Sequence, residues 1–431
     1  MRMLILGAAV SGVSAARLGR NLDADVLVYD RRPDALADLE ADGFATRSGE
    51  WDPAALDGVD VIIASPGIPE HAGPIQDAIA SPAPLWSELE LAARHISCPV
   101  VGVTGTNGKT TVTTLIAEML SSSGLSAIAA GNIGTALTSV VDMELDVVVV
   151  EASSFQLRFV ETFAPDVAVV LNVAPDHLDW HGSYDAYLEA KANLVARATD
   201  HTPLVFDADD AGAARIAKGS RARLVPVSGS RRPEGGWGVD GDNLILDGLR
   251  MPLTEVPTVD VAFRFDLVAA GTAALSAGAQ PDAVRSAIRS FRPGAHRRQV
   301  VADVAGVAWI DDSKATNPHA ASAAVSAYPS VVLIAGGRNK DLDLVPLLRH
   351  PNLRAVVAIG EAAPDVIRAA RVPVREALTM EEAVGFAAEF ACPGDTVLLA
   401  PGCTSWDMYS SYAERGEVFK EEVEKLIGEK V

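Results

Sequence analysis

Short apolar runs, rich in valine and isoleucine and closed by polar turns, alternate along the chain with segments whose apolar positions recur at helical spacing. The runs predict buried parallel strands and the recurrences predict helices laid over them. Strands are expected at Met3 to Leu6, Asp25 to Tyr29 and Val59 to Ala64, then at Val100 to Val103, Ala127 to Ala130, Asp146 to Val150 and Asp166 to Leu171. A last set falls at Val307 to Asp311, Val331 to Ala335, Ala355 to Ile359 and Thr396 to Ala400. Helices are expected from Trp86 to near His95, after Lys109, over Tyr184 to Ala198 and Phe265 to Ala277, from His319, and over Glu417 to Ile427. From Pro203 the pattern changes. Leu224-Val-Pro-Val, Gly235-Gly-Trp-Gly-Val and Leu244-Ile-Leu-Asp-Gly-Leu predict hairpin strands in an antiparallel appendage, with Gly229 to Gly236 as a mobile loop.

Two breaks divide this pattern: Ser97-Cys98-Pro99, and Phe291-Arg-Pro-Gly-Ala. The expectation is an α/β protein of three domains. Residues 1–95 form a Rossmann-like domain, 96–292 a central phosphate-loop sheet with the appendage, and 293–431 a second Rossmann-like domain.

Composition narrows the field without changing the fold. The 431 residues are 49% hydrophobic and 22% charged, ordinary for a soluble globular chain. A net charge of −21 argues against nucleic-acid or anionic-membrane binding, though not against a nucleotide held by a local basic site. Cys98, Cys392 and Cys403 are scattered and lack metal-ligand spacing, which suits a reducing compartment. Met1 leads directly into a strand, and no apolar run is long enough to span a bilayer. A cytoplasmic, soluble and monomeric protein is expected.

The chemistry gathers at strand ends. Val100 to Val103 breaks into Thr104-Gly105-Thr106-Asn107-Gly108, and Lys109-Thr110-Thr111 opens a helix. This is a triphosphate cradle: loop N–H groups and the helix N-terminus hold phosphate oxygens, Lys109 adds a charge, and Thr110 can reach Mg²⁺. Val103 stands where the strict pattern has its first glycine. Glu151 ends a neighbouring strand, the place where a magnesium-holding carboxylate commonly sits, though it could instead cap the next helix. Gly7-Ala-Ala-Val-Ser-Gly12 has the spacing of a dinucleotide turn with Ala9 at the middle glycine, and Asp30-Arg31-Arg32 follows the second strand. Asp176-His177-Leu-Asp179 closes another strand end. Lys314, Lys340 and Ser405 fall at carboxyl edges of the last sheet.

Together, Thr104-Gly-Thr-Asn-Gly-Lys-Thr-Thr111, Glu151-Ala-Ser-Ser-Phe-Gln156, Asn172 through Asp179, His296-Arg297 and Asp312-Ser-Lys-Ala-Thr316 resemble the ATP-dependent Mur ligases of peptidoglycan precursor synthesis. The short first domain resembles that of the D-glutamate-adding branch. The resemblance implies an ADP-forming amide ligase that joins D-glutamate to UDP-N-acetylmuramoyl-L-alanine through an acyl phosphate. It places Ser11, Gly12 and Val13 on the UDP diphosphate, Asp30 and Arg32 on uracil, and Ser65, Pro66 and Gly67 along the same pocket. Asn132, Ser153 and Gln156 would orient the muramoyl-alanyl part. Gly105 to Thr111, Arg297 and Asp312 would bind ATP, with Lys314 facing it. Two Mg²⁺ ions are implied, near Thr110, Glu151, His177 and a carbamylated Lys191. Thr316, Lys340, Ser405 and Tyr412 would hold the incoming glutamate.

Two departures stand out from that pattern. Phe265-Asp266 occupies the region where the family meets adenine with a His-Asn helix start, so the base would stack on Phe265 or use other partners. Arg338-Asn339-Lys340 lacks the acidic residue that usually precedes its lysine. Cyanophycin- or folylpolyglutamate-type ligases share the phosphate loop but should lack a UDP-binding first domain. A nucleotide-driven switch would need no amino-acid site, and a UDP-sugar sensor would tolerate loss of Lys109.

Overall fold

The computed structural model describes residues 1–428 and folds into two compact units. One comprises Met1–Val173 with Trp180–Phe291, and the other Ala174–Asp179 with Arg292–Val431.

The first unit holds three sheets. Strands β1 (Arg2–Leu6), β2 (Asp25–Asp30), β3 (Ala45–Ser48), β4 (Val61–Ala64) and β5 (Leu85–Ser87) form a parallel sheet in the order β3-β2-β1-β4-β5. The chain reverses direction across this sheet at β1, so the turn after β1 lies at a topological switch point. Strands β6 (Val100–Thr104), β7 (Ala127–Gly131), β8 (Val147–Glu151), β9 (Val167–Val170), β10 (Pro203–Asp207) and β11 (Arg223–Val227) form a second parallel sheet, ordered β11-β10-β9-β6-β8-β7. Its central strands are buried along their whole length, as their unbroken valine runs require. A small antiparallel sheet of β12 (Gly238–Asp240), β13 (Asn243–Leu246) and β14 (Leu249–Pro252) stands beside it.

Four details differ from the sequence expectation. Leu224-Val-Pro-Val belongs to β11, a parallel strand paired with β10, and not to the hairpin appendage. Pro226 is tolerated there because β11 is an edge strand and needs no N–H on its outer side. Trp86 and Ser87 lie in β5 and the helix starts at Glu88, with the Ser87 hydroxyl accepting from Glu90 N. The helix from Tyr184 ends at Ala192 and tightens into a 3-10 turn over Asn193–Val195. The segment expected to be a mobile loop is tethered: Arg231 Nη2 lies 2.7 Å from Asp209 Oδ1, and Val239 N donates to Arg231 O.

The second unit carries β15 (Gln299–Val304), β16 (Val307–Asp311), β17 (Val331–Gly336), β18 (Leu353–Ile359), β19 (Val374–Ala377) and β20 (Thr396–Gly402), ordered β15-β16-β20-β17-β18-β19. All pairs are parallel except β15 with β16, so the sheet is mixed. The last helix starts at Tyr412, five residues earlier than its amphipathic pattern suggests. Gly416 explains the tight packing of that helix on β16. A Cβ there would stand 2.2 Å from His296 Nδ1, which is itself 2.6 Å from Asp311 Oδ2.

Candidate functional site

The phosphate loop follows β6, between β8 and β9. Val103, the departure from the strict glycine pattern, is a buried β6 residue paired with Glu151, and the loop proper starts at Gly105. Gly105 cannot carry a side chain, because a Cβ would meet Leu171 Cβ at 2.9 Å. Gly108 sits at φ +86°, the left-handed cap from which the Lys109–Ser122 helix starts. Asn172, named only as part of a motif in the sequence reading, braces the loop from β9. Its carbonyl accepts from Thr106 N at 2.7 Å, its Oδ1 from Asn107 N at 2.9 Å, and its Nδ2 donates to Asn107 O. Lys109 Nζ curls over the loop and donates to Gly105 O at 2.9 Å and Thr106 O at 3.1 Å. Thr110 is exposed and Thr111 half-buried in the first helical turn.

Lys191 reaches the same loop from the Tyr184–Ala192 helix. Its side chain is 1% exposed, with Nζ donating to Gly105 O at 2.8 Å and lying 4.6 Å from the Tyr187 ring centre. The Tyr187 hydroxyl is 3.0 Å from Thr106 Oγ1. A solvated helix lysine, the ordinary expectation, is therefore ruled out.

Glu151 is buried at the end of β8. Its Oε1 accepts from Asn132 Nδ2 at 2.9 Å, while Oε2 has no hydrogen-bond partner among the described residues. A buried carboxylate oxygen without a donor suits a bound cation. Asn132, expected on the substrate, thus first of all orients this carboxylate. It follows Gly131, whose φ of +97° and contact with the Glu151 carbonyl exclude any other residue. Ser153 and Gln156 form a reciprocal capping box on the short helix after β8, which accounts for their spacing structurally. Phe265 is buried in the apolar core against Gly229, so its ring offers no open face for a base.

In the first sheet, Gly12 packs so closely that a Cβ would stand 1.8 Å from Gly7 O. Ser11 and Val13 flank it in the first turn of the Val10–Asn21 helix. Ser65 Oγ donates to Gly7 O, with Pro66 half-buried and Gly67 exposed beyond it. Asp30 Oδ2 accepts from Ala8 N and Oδ1 from Arg32 N, so its carboxylate organises the turn. Burial pushes the Asp30 carboxyl up, but these hydrogen bonds and the Arg32 charge outweigh it and hold the group below the usual range. The Arg32 side chain is exposed. A groove of about 680 Å³ runs between the Val10–Asn21 helix and residues 134–142.

In the second unit, Asp312 is buried at the end of β16, and burial pushes its carboxyl up to about 6 against the pull of Arg298. Arg298, which the sequence did not single out, lies beside it, with Nε 3.9 Å from Asp312 Oδ2. Lys314 Nζ sits 3.6 Å from the Tyr412 ring centre, and Thr316 N donates to Lys314 O. Lys340 Nζ pairs with Asp176 Oδ1 at 3.1 Å. Asn317 Nδ2 reaches the other Asp176 oxygen at 3.4 Å. His177 holds a left-handed backbone, φ 51°, with its N–H on Asp176 Oδ1. Ser405 is buried, and its carbonyl accepts from Tyr409 N. Arg415 was not foreseen. Its buried guanidinium donates to Ser313 O, Ser313 Oγ and Cys403 O, tying the loop after β16 to the loop after β20. Among the described residues, no group of three or more His, Cys, Asp or Glu side chains is arranged to hold a metal. None of the described helices is long and apolar enough to cross a membrane.

Three family models match in sequence order: the Mur ligase MurD-like N-terminal domain at residues 1–86, the Mur ligase middle domain at 103–235, and the Mur ligase glutamate ligase domain at 296–403. A UDP-N-acetylmuramoylalanine–D-glutamate ligase of Frankia casuarinae is 42% identical, over 97% of this chain and 92% of its own. One of the same name from Pelotomaculum thermopropionicum is 38% identical over 99% and 98%. Among solved structures, MurF ligase from Thermotoga maritima in complex with ADP matches with a TM-score of 0.58 at 18% identity, covering 93% of this chain and 95% of its own. With relatives this similar along almost its whole length, the chain belongs to the Mur ligase family.

Proposed function

We propose that the chain is an ATP-dependent ligase that adds D-glutamate to UDP-N-acetylmuramoyl-L-alanine, releasing ADP and phosphate, in peptidoglycan precursor synthesis. The observation that carries this reading is the near full-length similarity to relatives named for that reaction, in a chain whose phosphate loop is braced and complete. A carboxylate is a poor electrophile, so the alanyl carboxylate first takes the γ-phosphoryl group of ATP. Lys109 and the loop N–H groups hold the phosphates in line and offset the charge that develops. The glutamate amine then attacks the acyl carbon, and the tetrahedral adduct expels phosphate.

Ser11, Gly12, Val13, Ser65, Pro66 and Gly67 would seat the UDP part, and Asp30 would shape the turn under it. Thr316, Lys340, Ser405 and Tyr412 would receive the glutamate, with Asp312 and Lys314 toward ATP. The unsatisfied oxygen of Glu151 fits a divalent cation, and Thr110, His177 and a carbamate on Lys191 would share in holding two Mg²⁺ ions. Such ions, when bound, neutralise phosphate charge during transfer. Cytoplasmic location and a monomeric state complete the reading.

The test is a coupled phosphate-release assay with ATP, UDP-N-acetylmuramoyl-L-alanine and a panel of amino acids. Phosphate release that depends on both co-substrates and prefers D-glutamate is expected. ATP turnover independent of the amino acid would instead point to a nucleotide-driven switch.

A further inference from the structure

Glu88 opens the helix after β5, yet its side chain leaves the first sheet and is 1% exposed. Its Oε1 accepts from Thr138 N at 2.6 Å and from Thr138 Oγ1 at 2.8 Å. Thr138 is the middle residue of the 3-10 turn Leu137–Ser139, which follows the loop carrying Asn132. The Thr138 hydroxyl is also 2.7 Å from Ser14 Oγ. A hydroxyl has one proton, so with that proton directed at Glu88, Ser14 is the donor to Thr138. Ser14 directly follows the Ser11–Val13 turn. One partly buried chain of hydrogen bonds therefore joins two segments that lie more than a hundred residues apart in sequence.

The second Glu88 oxygen, Oε2, is buried with no partner among the described residues. Burial pushes this carboxyl up, against the hydrogen bonds from Thr138 and Leu137. A proton on Oε2 would remove the buried charge while Oε1 stays the acceptor for Thr138. Ser14 and Thr138 both line the groove of about 680 Å³ between the Val10–Asn21 helix and residues 134–142.

We propose that Glu88 is a positioning residue for the UDP-linked substrate, holding the Ser11–Val13 turn and the Asn132 loop in fixed register through Thr138 and Ser14. The inference rests on the reading above, in which those two segments seat that substrate. Glu88 itself touches no reacting atom. Losing it leaves Thr138 N without its acceptor and unties the Thr138 hydroxyl from the helix of Glu88, which lets the two walls shift independently.

The experiment compares steady-state kinetics of wild type, Glu88→Ala, Glu88→Gln and Thr138→Val. In Glu88→Ala the KM for UDP-N-acetylmuramoyl-L-alanine should rise about tenfold, the scale of one lost buried acceptor, while the KM for ATP and kcat stay near wild type. Glu88→Gln keeps the acceptor oxygen without a charge, and should restore a KM close to wild type. Thr138→Val keeps the backbone bond to Glu88 and removes the hydroxyl that joins Glu88 Oε1 to Ser14 Oγ. It should raise the same KM, and it carries the test if Glu88→Ala does not fold. Unchanged KM in both Glu88→Ala and Thr138→Val overturns the proposal. So does a uniform loss in kcat and both KM values, or a Glu88→Gln variant as defective as Glu88→Ala. If wild type itself does not use the UDP substrate, the functional reading has failed and this inference falls with it.

Discussion

Lys191 shows how much a single position can hide. A lysine on a nine-residue helix ordinarily reaches water, and nothing in Tyr184–Ala192 beyond family resemblance marks this one. The structure buries it because this helix packs its Tyr187 and Lys191 side against the phosphate loop, where Nζ finds the Gly105 carbonyl. If Lys191 carries the proposed carbamate, Lys191→Ala should lose about a hundredfold or more in kcat, the scale of one lost transition-state contact. Acetate should partly restore the rate by supplying the missing anion, and a wild-type rate in the variant would sink the idea. Lys109→Ala tests the other lysine on the loop. Ligation should fall at least about a hundredfold, while calorimetric binding of UDP-N-acetylmuramoyl-L-alanine stays unchanged, because the residues assigned to UDP lie on the first sheet. Weakened binding of that substrate in Lys109→Ala would count against the separation of the two sites. Asn172 and Arg298 escaped attention as individuals for a simpler reason. Their partners are backbone N–H groups and a carboxylate brought close only by the fold.

At the scale of elements, the short helix Glu88–Ala93 joins the first sheet to the central one by two carboxylates pointing different ways. Residues two apart lie on opposite faces of a helix, so Glu88 faces Thr138 while Glu90 faces residues 161–163. Glu90 accepts from Glu161 N, Thr162 N, Thr162 Oγ1, Phe163 N and Arg94 Nε. Burial pushes the Glu90 carboxyl up, but the Thr162 hydroxyl and the N–H groups of residues 161–163 more than offset it and hold the group below its ordinary range. A lowered folded-state pKa stabilises the fold above the unfolded value, and the stabilisation is lost as pH falls through the folded value. Glu90→Gln should therefore cost about 2–3 kcal/mol at pH 7, with the gap to wild type narrowing below about pH 4. Urea midpoints measured at both pH values check this, and a gap independent of pH would refute it. The strands hardest to read lie at sheet edges. In β3 (Ala45–Ser48) and β15 (Gln299–Val304) no residue is fully buried, so nothing requires the unbroken apolar run that marked the central strands. The phosphate loop was legible because its glycines and lysine are dictated locally by backbone conformation. The two-carboxylate clamp was not, because its donors lie about 50 and 70 residues away.

For the whole molecule, the proposed chemistry sets a demand that neither compact unit meets alone. Lys109, Glu151 and Lys191 belong to the unit that contains Met1–Val173, whereas Thr316, Lys340 and Ser405 belong to the unit that contains Arg292–Val431. An amine attacking an acyl phosphate must come within about 3–3.5 Å of the acyl carbon, and water must be kept out while that mixed anhydride exists. Binding of ATP and the UDP substrate is therefore expected to drive closure of the two units, with the segment around Arg292-Pro293-Gly294 as the hinge, since one of the unit boundaries falls between Phe291 and Arg292. Solution scattering should show the radius of gyration falling when a non-hydrolysable ATP analogue and UDP-N-acetylmuramoyl-L-alanine are added together, with a smaller change for either alone. Replacing Gly294 by proline would stiffen the hinge and should lower kcat while leaving the binding of each substrate intact. A radius of gyration that is the same in all four ligand states, with unimpaired turnover in Gly294→Pro, would mean that the reacting groups meet without closure.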